Sequence, residues 1–297
     1  MTTVVDGFLL VDKPGGWTSH DVVAKARQLL AQKKVGHSGT LDPMATGLVV
    51  LGLGRATRTL RYTQEAGKRY VATAQFGVAT DTLDADGAIL SRSPMSFEEG
   101  DLAAIIPRFV GSIMQVPPMV SALKIGGRKL YELAREGKEV ERQPRPVQVY
   151  EIELLDFAPG SYPEATFRVD CGSGTYIRTL ADDFGRALGG HAHLTALRRT
   201  RVGKLTVDRA HTIDYLEGLE SVESAVLPMT QVLIEELQHL VVSGREAVGV
   251  RNGRPLGLDL IPPSVEESPF CVLDADGTLL AVYISDGVQA RPQVVLS

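Results

Sequence analysis

Apolar and polar positions in this chain follow two periods, and the switches between them mark its elements. Phe8 to Val11 is a short apolar run ending at Asp12-Lys13-Pro14-Gly15-Gly16, which predicts a strand running into a turn enforced by Pro and Gly. Thr18 followed by Asp21 has the form of a capping box, and Val22, Val23, Ala26, Leu29 and Leu30 fall on one helical face. Leu48 to Leu53 reads as a buried strand. From 69 to 76, Tyr70, Ala72, Ala74 and Phe76 alternate with Val71, Thr73 and Gln75 as a sheet strand requires. The acidic, turn-rich stretch Thr80 to Gly87 predicts a loop.

Residues 118 to 146 are rich in charge and read as a surface excursion with one short amphipathic helix around Leu130, Leu133 and Ala134. Strands are predicted at Val147 to Phe157 and Ala165 to Cys171. A helix follows from Thr175 to Leu188, with Ile177, Leu180, Ala181, Phe184 and Leu188 on one face. After a helical stretch near Gln231 to Gln238 come short strand signals at 241–249, 253–260, 270–273, 279–284 and 294–296, punctuated by Gly and Pro. This predicts an α+β fold with a small β domain beginning near His239.

A length of 297 residues suits two domains, and 44% apolar with 23% charged residues is an ordinary globular mix that excludes a disordered or coiled-coil chain. The net charge of −5 argues mildly against a nucleic-acid partner, but its distribution argues the other way. Residues 1–70 carry ten basic and five acidic side chains and 121–145 carry seven against four, whereas 216–297 carry four against twelve. A positive face can therefore coexist with an acidic total. Cys171 and Cys271, a hundred residues apart, form neither a disulfide framework nor a metal spacing. With no secretory pattern at the start and no apolar stretch of membrane length, the expectation is a cytoplasmic protein.

Candidate chemistry gathers in Gly36 to Gly47, GHSGTLDPMATG, a glycine-rich loop before an apolar strand. Taken alone, Asp42 before Pro43 is a turn initiator and His37 a surface imidazole. The chain has no Walker loop, no CxxC pair and no GxSxG elbow, and Gly52-Leu53-Gly54 lacks the third glycine of a dinucleotide fingerprint. His191 and His193 have no Cys or carboxylate at ligand spacing, so no metal site is expected.

The stretch GHSGTLDPMATGLVVLGLGRATR closely resembles the catalytic motif of the TruB family of tRNA pseudouridine synthases. Four further blocks resemble that family in order: LLVDKPGGWTSHDVV, KRYVATAQFGVATDTLDADG, VPPMVSALKIGGRKLYELAREG and CGSGTYIRTLADDFGRALGGHAHLTALRRT. The resemblance implies a mixed, largely antiparallel sheet with flanking helices over 1–238, an RNA-gripping insertion at about 118–146, and a PUA-like β domain at 239–297. It implies isomerisation of the uridine at position 55 in the TΨC loop of tRNA, after the base has been flipped out of the loop. Such a reaction needs no metal or cofactor. The implied partner is the tRNA T-arm, with no membrane and no obligate protein partner, the chain acting as a monomer.

By the same resemblance Asp42 is the catalytic carboxylate, Arg178 in TYIRT its guanidinium partner, and Tyr70 in KRY the residue that stacks on the uracil and is placed to take the C5 proton. Whether Asp42 acts on the base, the sugar carbon or a sugar proton is left open. Leu197 closes the other side of the base, Tyr176 lines the pocket, His37 fills space beside the extruded nucleotide, and Asp84 lies near it. Without the resemblance, Tyr70 and Leu197 read simply as core. Lys13, Lys68 and Arg69, with Arg55 and Arg58, are expected to meet phosphates near the site, and Lys124, Arg128 and Lys129 to do so from the insertion. Two alternatives share these residues: a tRNA-folding protein whose catalysis is secondary, and the catalytic subunit of a guide-RNA complex. The 118–146 insertion and the absence of long Lys-rich tails speak against the second.

Overall fold

The structure is a computed structural model that describes residues 4–121, 123–138, 140–261 and 268–296. It is α+β, as expected. Among the described residues a ten-stranded mixed sheet carries the fold, and the strands along its main path lie in the order 211–212, 7–13, 46–53, 192–202, 68–76, 164–171, 145–158, 111–115. Neighbours are antiparallel except at 7–13 with 211–212 and at 192–202 with 46–53.

The unbroken apolar runs FLLV and LVVL follow from where their strands lie. Leu9, Val11, Val49 and Leu51 face one core, which also takes Val22, Val23 and Ala26 of the helix Ser19–Leu29 and Leu180 and Phe184 of the helix Ile177–Ala187. Phe8, Leu10, Leu48 and Val50 point the other way into a second core with Val232, Cys271, Val282 and Val294. Strands covered on both faces need no polar alternation. The first helix starts as expected: the Asp21 amide donates to Thr18 Oγ1 at 3.1 Å and the Thr18 amide to Asp21 Oδ2 at 2.7 Å, a reciprocal cap.

A five-stranded sheet forms a second unit, in the order 238–241, 270–273, 279–285, 289–295, 256–257. Here two sequence expectations need correction. The strand runs Gln238–Val241, so only Val241 of 241–249 is strand, and Gly244–Arg251 is a helix burying Ala247 and Val250. Gly244 sits at φ +54°, a left-handed conformation that ends the extended chain. Of 253–260, only Leu256–Gly257 pairs, and a 3₁₀ turn follows at Leu258–Leu260.

Arg55 and Arg58 are likewise not placed as expected. Arg58 donates to the Val295 carbonyl at 2.7 Å, and Arg55 bonds Asp6 and the Leu296 carbonyl. These guanidinium groups tie the last strand of the second unit to the first. No helix among the described residues is long and apolar enough to cross a membrane.

Because Leu10 is 1% exposed in the core between the two sheets, Leu10→Ala should lower the unfolding free energy by about 2–5 kcal/mol. Urea denaturation should show this loss in one cooperative transition, since the residue serves both units.

Candidate active site

Asp42 lies in the loop between the strands Val35–His37 and Thr46–Leu53, and bonds pin that loop on both sides of it. The Leu41 amide donates to Ser19 Oγ at 2.8 Å. The Pro43 carbonyl accepts from the Gly16 amide at 2.9 Å and from Lys13 Nζ at 3.1 Å. The Asp42 carbonyl closes a turn by accepting from the Ala45 amide at 3.1 Å.

Arg178 is the second residue of the helix Ile177–Ala187, and Gln115 secures that helix start. The Gln115 amide accepts from Tyr176 N at 3.0 Å and donates to Tyr176 O at 3.3 Å, standing in for the missing side-chain cap. At 3% exposure the Arg178 side chain meets protein groups at all three of its nitrogens. Nε and Nη2 grip the two Asp42 oxygens at 2.9 and 3.1 Å. Nη1 reaches Asp84 Oδ2 at 3.2 Å and the Thr82 carbonyl at 2.8 Å, and Nη2 also reaches the Val120 carbonyl at 2.8 Å. The last bond fastens the root of the 118–146 excursion to the site.

Asp84 is 4% exposed and held by its own turn. Its Oδ1 accepts from Thr82 Oγ1 at 2.5 Å and from the Asp86 amide at 3.2 Å. Leu83 beside it adopts φ +62°, an uncommon state for a branched residue, with its carbonyl held by the Leu194 amide at 3.1 Å. Burial pushes the Asp42 carboxyl above its ordinary value, Arg178 pulls it back, and Asp84 adds to the rise.

A cavity of about 540 Å³ opens beside this pair, within the size range of small-ligand sites. Tyr70, Leu197 and Tyr176 line it with Asp42 and Arg178, and so do Lys68, Ser121 and Arg199. Strand alternation accounts for Lys68 and Tyr70, which share the buried face of Lys68–Phe76. The phenol of Tyr70 is 8% exposed, and burial pushes it above its usual value.

Other expected residues are placed differently. His37 does not line the cavity; its Nδ1 accepts from the Gly39 amide at 3.2 Å and its ring meets His20 edge-on at 5.3 Å. Burial lowers its pKa.

Lys13 is fully buried and therefore no phosphate contact. Its ammonium donates to the carbonyls of Pro14, Trp17 and Pro43 at 2.9, 2.6 and 3.1 Å, and burial pushes it down to about 8. Lys68 also faces inward, bonding the Gln64 carbonyl and the Ala66 carbonyl (2.7 Å), and is pushed down to about 8 by burial. Arg69 lies on the opposite sheet face from Tyr70 and is paired with Asp170 at 2.8 Å. Arg128 is exposed and paired with Glu136. Lys124 and Lys129 lie in a short hairpin, and their side chains fall outside the described ones.

Three groups that hold the site carry no local sequence signal: Gln115, Arg199 and the backbone carbonyl of Val120. His191 and His193 diverge, one on Asp182 at 2.9 Å and the other facing the Val78 carbonyl.

The fold and the carboxylate–guanidinium pocket define a pseudouridine synthase, and comparison with known proteins agrees. The family described as TruB family pseudouridylate synthase (N terminal domain) matches residues 27–177, and tRNA pseudouridylate synthase B C-terminal domain matches 178–240. The chain is 43% identical over 297 residues to tRNA pseudouridine synthase B of Ralstonia pickettii (strain 12J), covering 97% of this chain and 93% of the relative. It is 42% identical over 300 residues to the protein of that name from Thermobifida fusca (strain YX), covering 99% of each. Among solved structures, a chain in a Cbf5-Nop10-Gar1 complex superposes with a TM-score of 0.75 at 27% identity, covering 98% of this chain and 84% of that one. An H/ACA RNP bound to a substrate RNA containing 2'-deoxyuridine gives 0.73 at 26%, covering 98% and 85%. The chain belongs to the TruB family of tRNA pseudouridine synthases, which are isomerases.

The Lys13 ammonium makes three hydrogen bonds, to the carbonyls of Pro14, Trp17 and Pro43, so Lys13→Met should destabilise the fold by about 2–4 kcal/mol in urea denaturation. The slope of log affinity for tRNA against log salt should not change, since no phosphate contact is lost.

Proposed function

We propose that this isomerase acts in the cytoplasm, as a monomer and without a cofactor, on the uridine at position 55 in the TΨC loop of tRNA. The observation that carries the reading is the bidentate hold of Arg178 on Asp42 at the wall of a cavity lined by Tyr70 and Leu197. A target base within a folded loop must be extruded at a cost of a few kcal/mol, and contacts to the T-arm offset it. Exposed cations such as Lys33, Lys34, Arg128 and Arg145 are available for phosphates.

Once the base is in the cavity, Tyr70 and Leu197 hold its two faces while Arg178 keeps the Asp42 carboxylate ionised and aimed at the nucleoside. The N1–C1′ bond breaks, the base turns, and a C5–C1′ bond forms. The C5 proton leaves by way of the Tyr70 hydroxyl, whose oxygen accepts it as its own proton passes to water, while N1 takes one up from water. Atoms and charge balance without an oxidant or reductant.

The test is hydrogen release from C5-tritiated uridine in an unmodified tRNA transcript, with the modified position mapped by primer extension. The wild type should release label from position 55 alone, and Asp42→Asn should lose release by at least about 10⁴-fold while still binding tRNA. Tight binding and elbow refolding by a wild type that releases no label would instead favour the RNA-folding reading.

A further inference from the structure

Arg199 has no part in the chemistry above, yet it heads the largest fully buried side chains and lines the same cavity as Asp42. Strand register explains how it gets there. In the antiparallel pairing of 192–202 with 68–76, Arg199 lies directly opposite Tyr70, and the register slips just after it, between Arg199 and Arg201. Directly opposed residues share a sheet face, and a bulge re-aims the residues around it. Arg199 therefore stays with Tyr70, while Arg201 pairs with Asp170.

On its other edge the same strand runs parallel to 46–53, with Arg199 opposite Gly47. Gly47 sits at φ +100°, and a Cβ there would lie 2.3 Å from the Arg199 carbonyl oxygen. Glycine is what lets the two strands close at this point.

The guanidinium spans two functional parts. Nε donates to the Leu48 carbonyl at 2.7 Å, Nη2 to the Gly39 carbonyl at 3.2 Å and Nη1 to the Thr40 carbonyl at 3.4 Å. Gly39 and Thr40 belong to the loop that carries Asp42. Arg199 also neighbours Tyr70 across the sheet, and its charge opposes the upward effect of burial on the phenol.

We propose that Arg199 is a positioning residue of the isomerisation: one buried guanidinium clamps the Asp42 loop onto the strand position opposite Tyr70, fixing the separation between the group that acts when the glycosidic bond breaks and the group that takes the C5 proton. The proposal rests on Tyr70 being that proton acceptor. Lysine cannot replace the fork, because an ammonium is a point donor that cannot span the Leu48, Gly39 and Thr40 carbonyls that three separate nitrogens reach here.

The experiment is a double-mutant cycle of Arg199→Lys and Tyr70→Phe. Single-turnover rates and affinities are measured with an unmodified T-arm RNA, alongside the isotope effect of deuterium at the target C5. Arg199→Lys, checked as folded by circular dichroism, should slow isomerisation about 100-fold with affinity unchanged, the scale of an ångström-level misplacement. It should also enlarge the C5 isotope effect, and its penalty should shrink when Tyr70 is already Phe. If that variant does not fold, Arg199→Ala supplemented with ethylguanidinium serves instead, and recovery of rate at fixed affinity is expected.

An Arg199→Lys enzyme with the wild-type rate would overturn the proposal. So would penalties that simply multiply, or a rate that the added guanidinium does not restore. A Tyr70→Phe enzyme as fast as the wild type is a different failure: it removes the phenol as proton acceptor, and the clamp on the Asp42 loop is then decided by the Arg199→Lys rate alone.

Discussion

The site depends on a single buried guanidinium shared between two carboxylates. Arg178 cannot lose its charge, and at 3% exposure it cannot be hydrated, so each of its donors must find a protein acceptor. Its solution joins parts distant in sequence: the Asp42 loop, the Thr82–Asp84 turn and the root of the excursion at Val120. Removing one partner of such an arrangement costs about 3–5 kcal/mol, because a buried charge is left unmet. The supporting features follow from that demand. Gln115 seats the start of the Arg178 helix, the left-handed Leu83 turns Asp84 inward, and Ser19 and Lys13 hold the loop on either side of Asp42.

Many of the cations that look like an RNA-binding face in the sequence belong to this scaffold. Lys13 and Lys68 turn inward onto carbonyls, Arg69 pairs on the far face of the sheet, and Arg55 and Arg58 anchor the last strand. A local excess of positive charge therefore measures two quantities at once, the field offered to a polyanion and the donors needed inside. The exposed cations left to offer that field include Lys33, Lys34 and Arg145.

This division also explains what was legible in the sequence. Where both faces of a strand are buried, as at 7–13 and 46–53, the apolar run declares it, and alternation declares 68–76. The central strand 192–202 escaped notice because two register shifts break its period and because Arg198, Arg199 and Arg201 read as surface. Their charges are met by Asp12, by carbonyls and by Asp170, partners that adjoin only in the fold. Asp42, Arg178 and Tyr70 became legible through family motifs, since a carboxylate before proline has an ordinary reading as a turn. The β assignment over 241–249 failed at Gly244, where apolar content suggested a strand and a backbone reversal produced a helix.

The most direct test of this account is the single-turnover isomerisation rate as a function of pH for the wild type and Arg178→Lys. In the proposed reaction Asp42 acts ionised, so the rate should fall as pH drops through the carboxyl's pKa in the folded protein. Burial raises that pKa and Arg178 opposes the rise, so the wild-type acid limb should lie above the ordinary carboxylate value. Arg178→Lys should move the limb to still higher pH and lower the plateau, since a point charge cannot reproduce the two-point grip. An unchanged limb in the variant, with only a lower plateau, would contradict the claim that Arg178 governs the ionisation of Asp42.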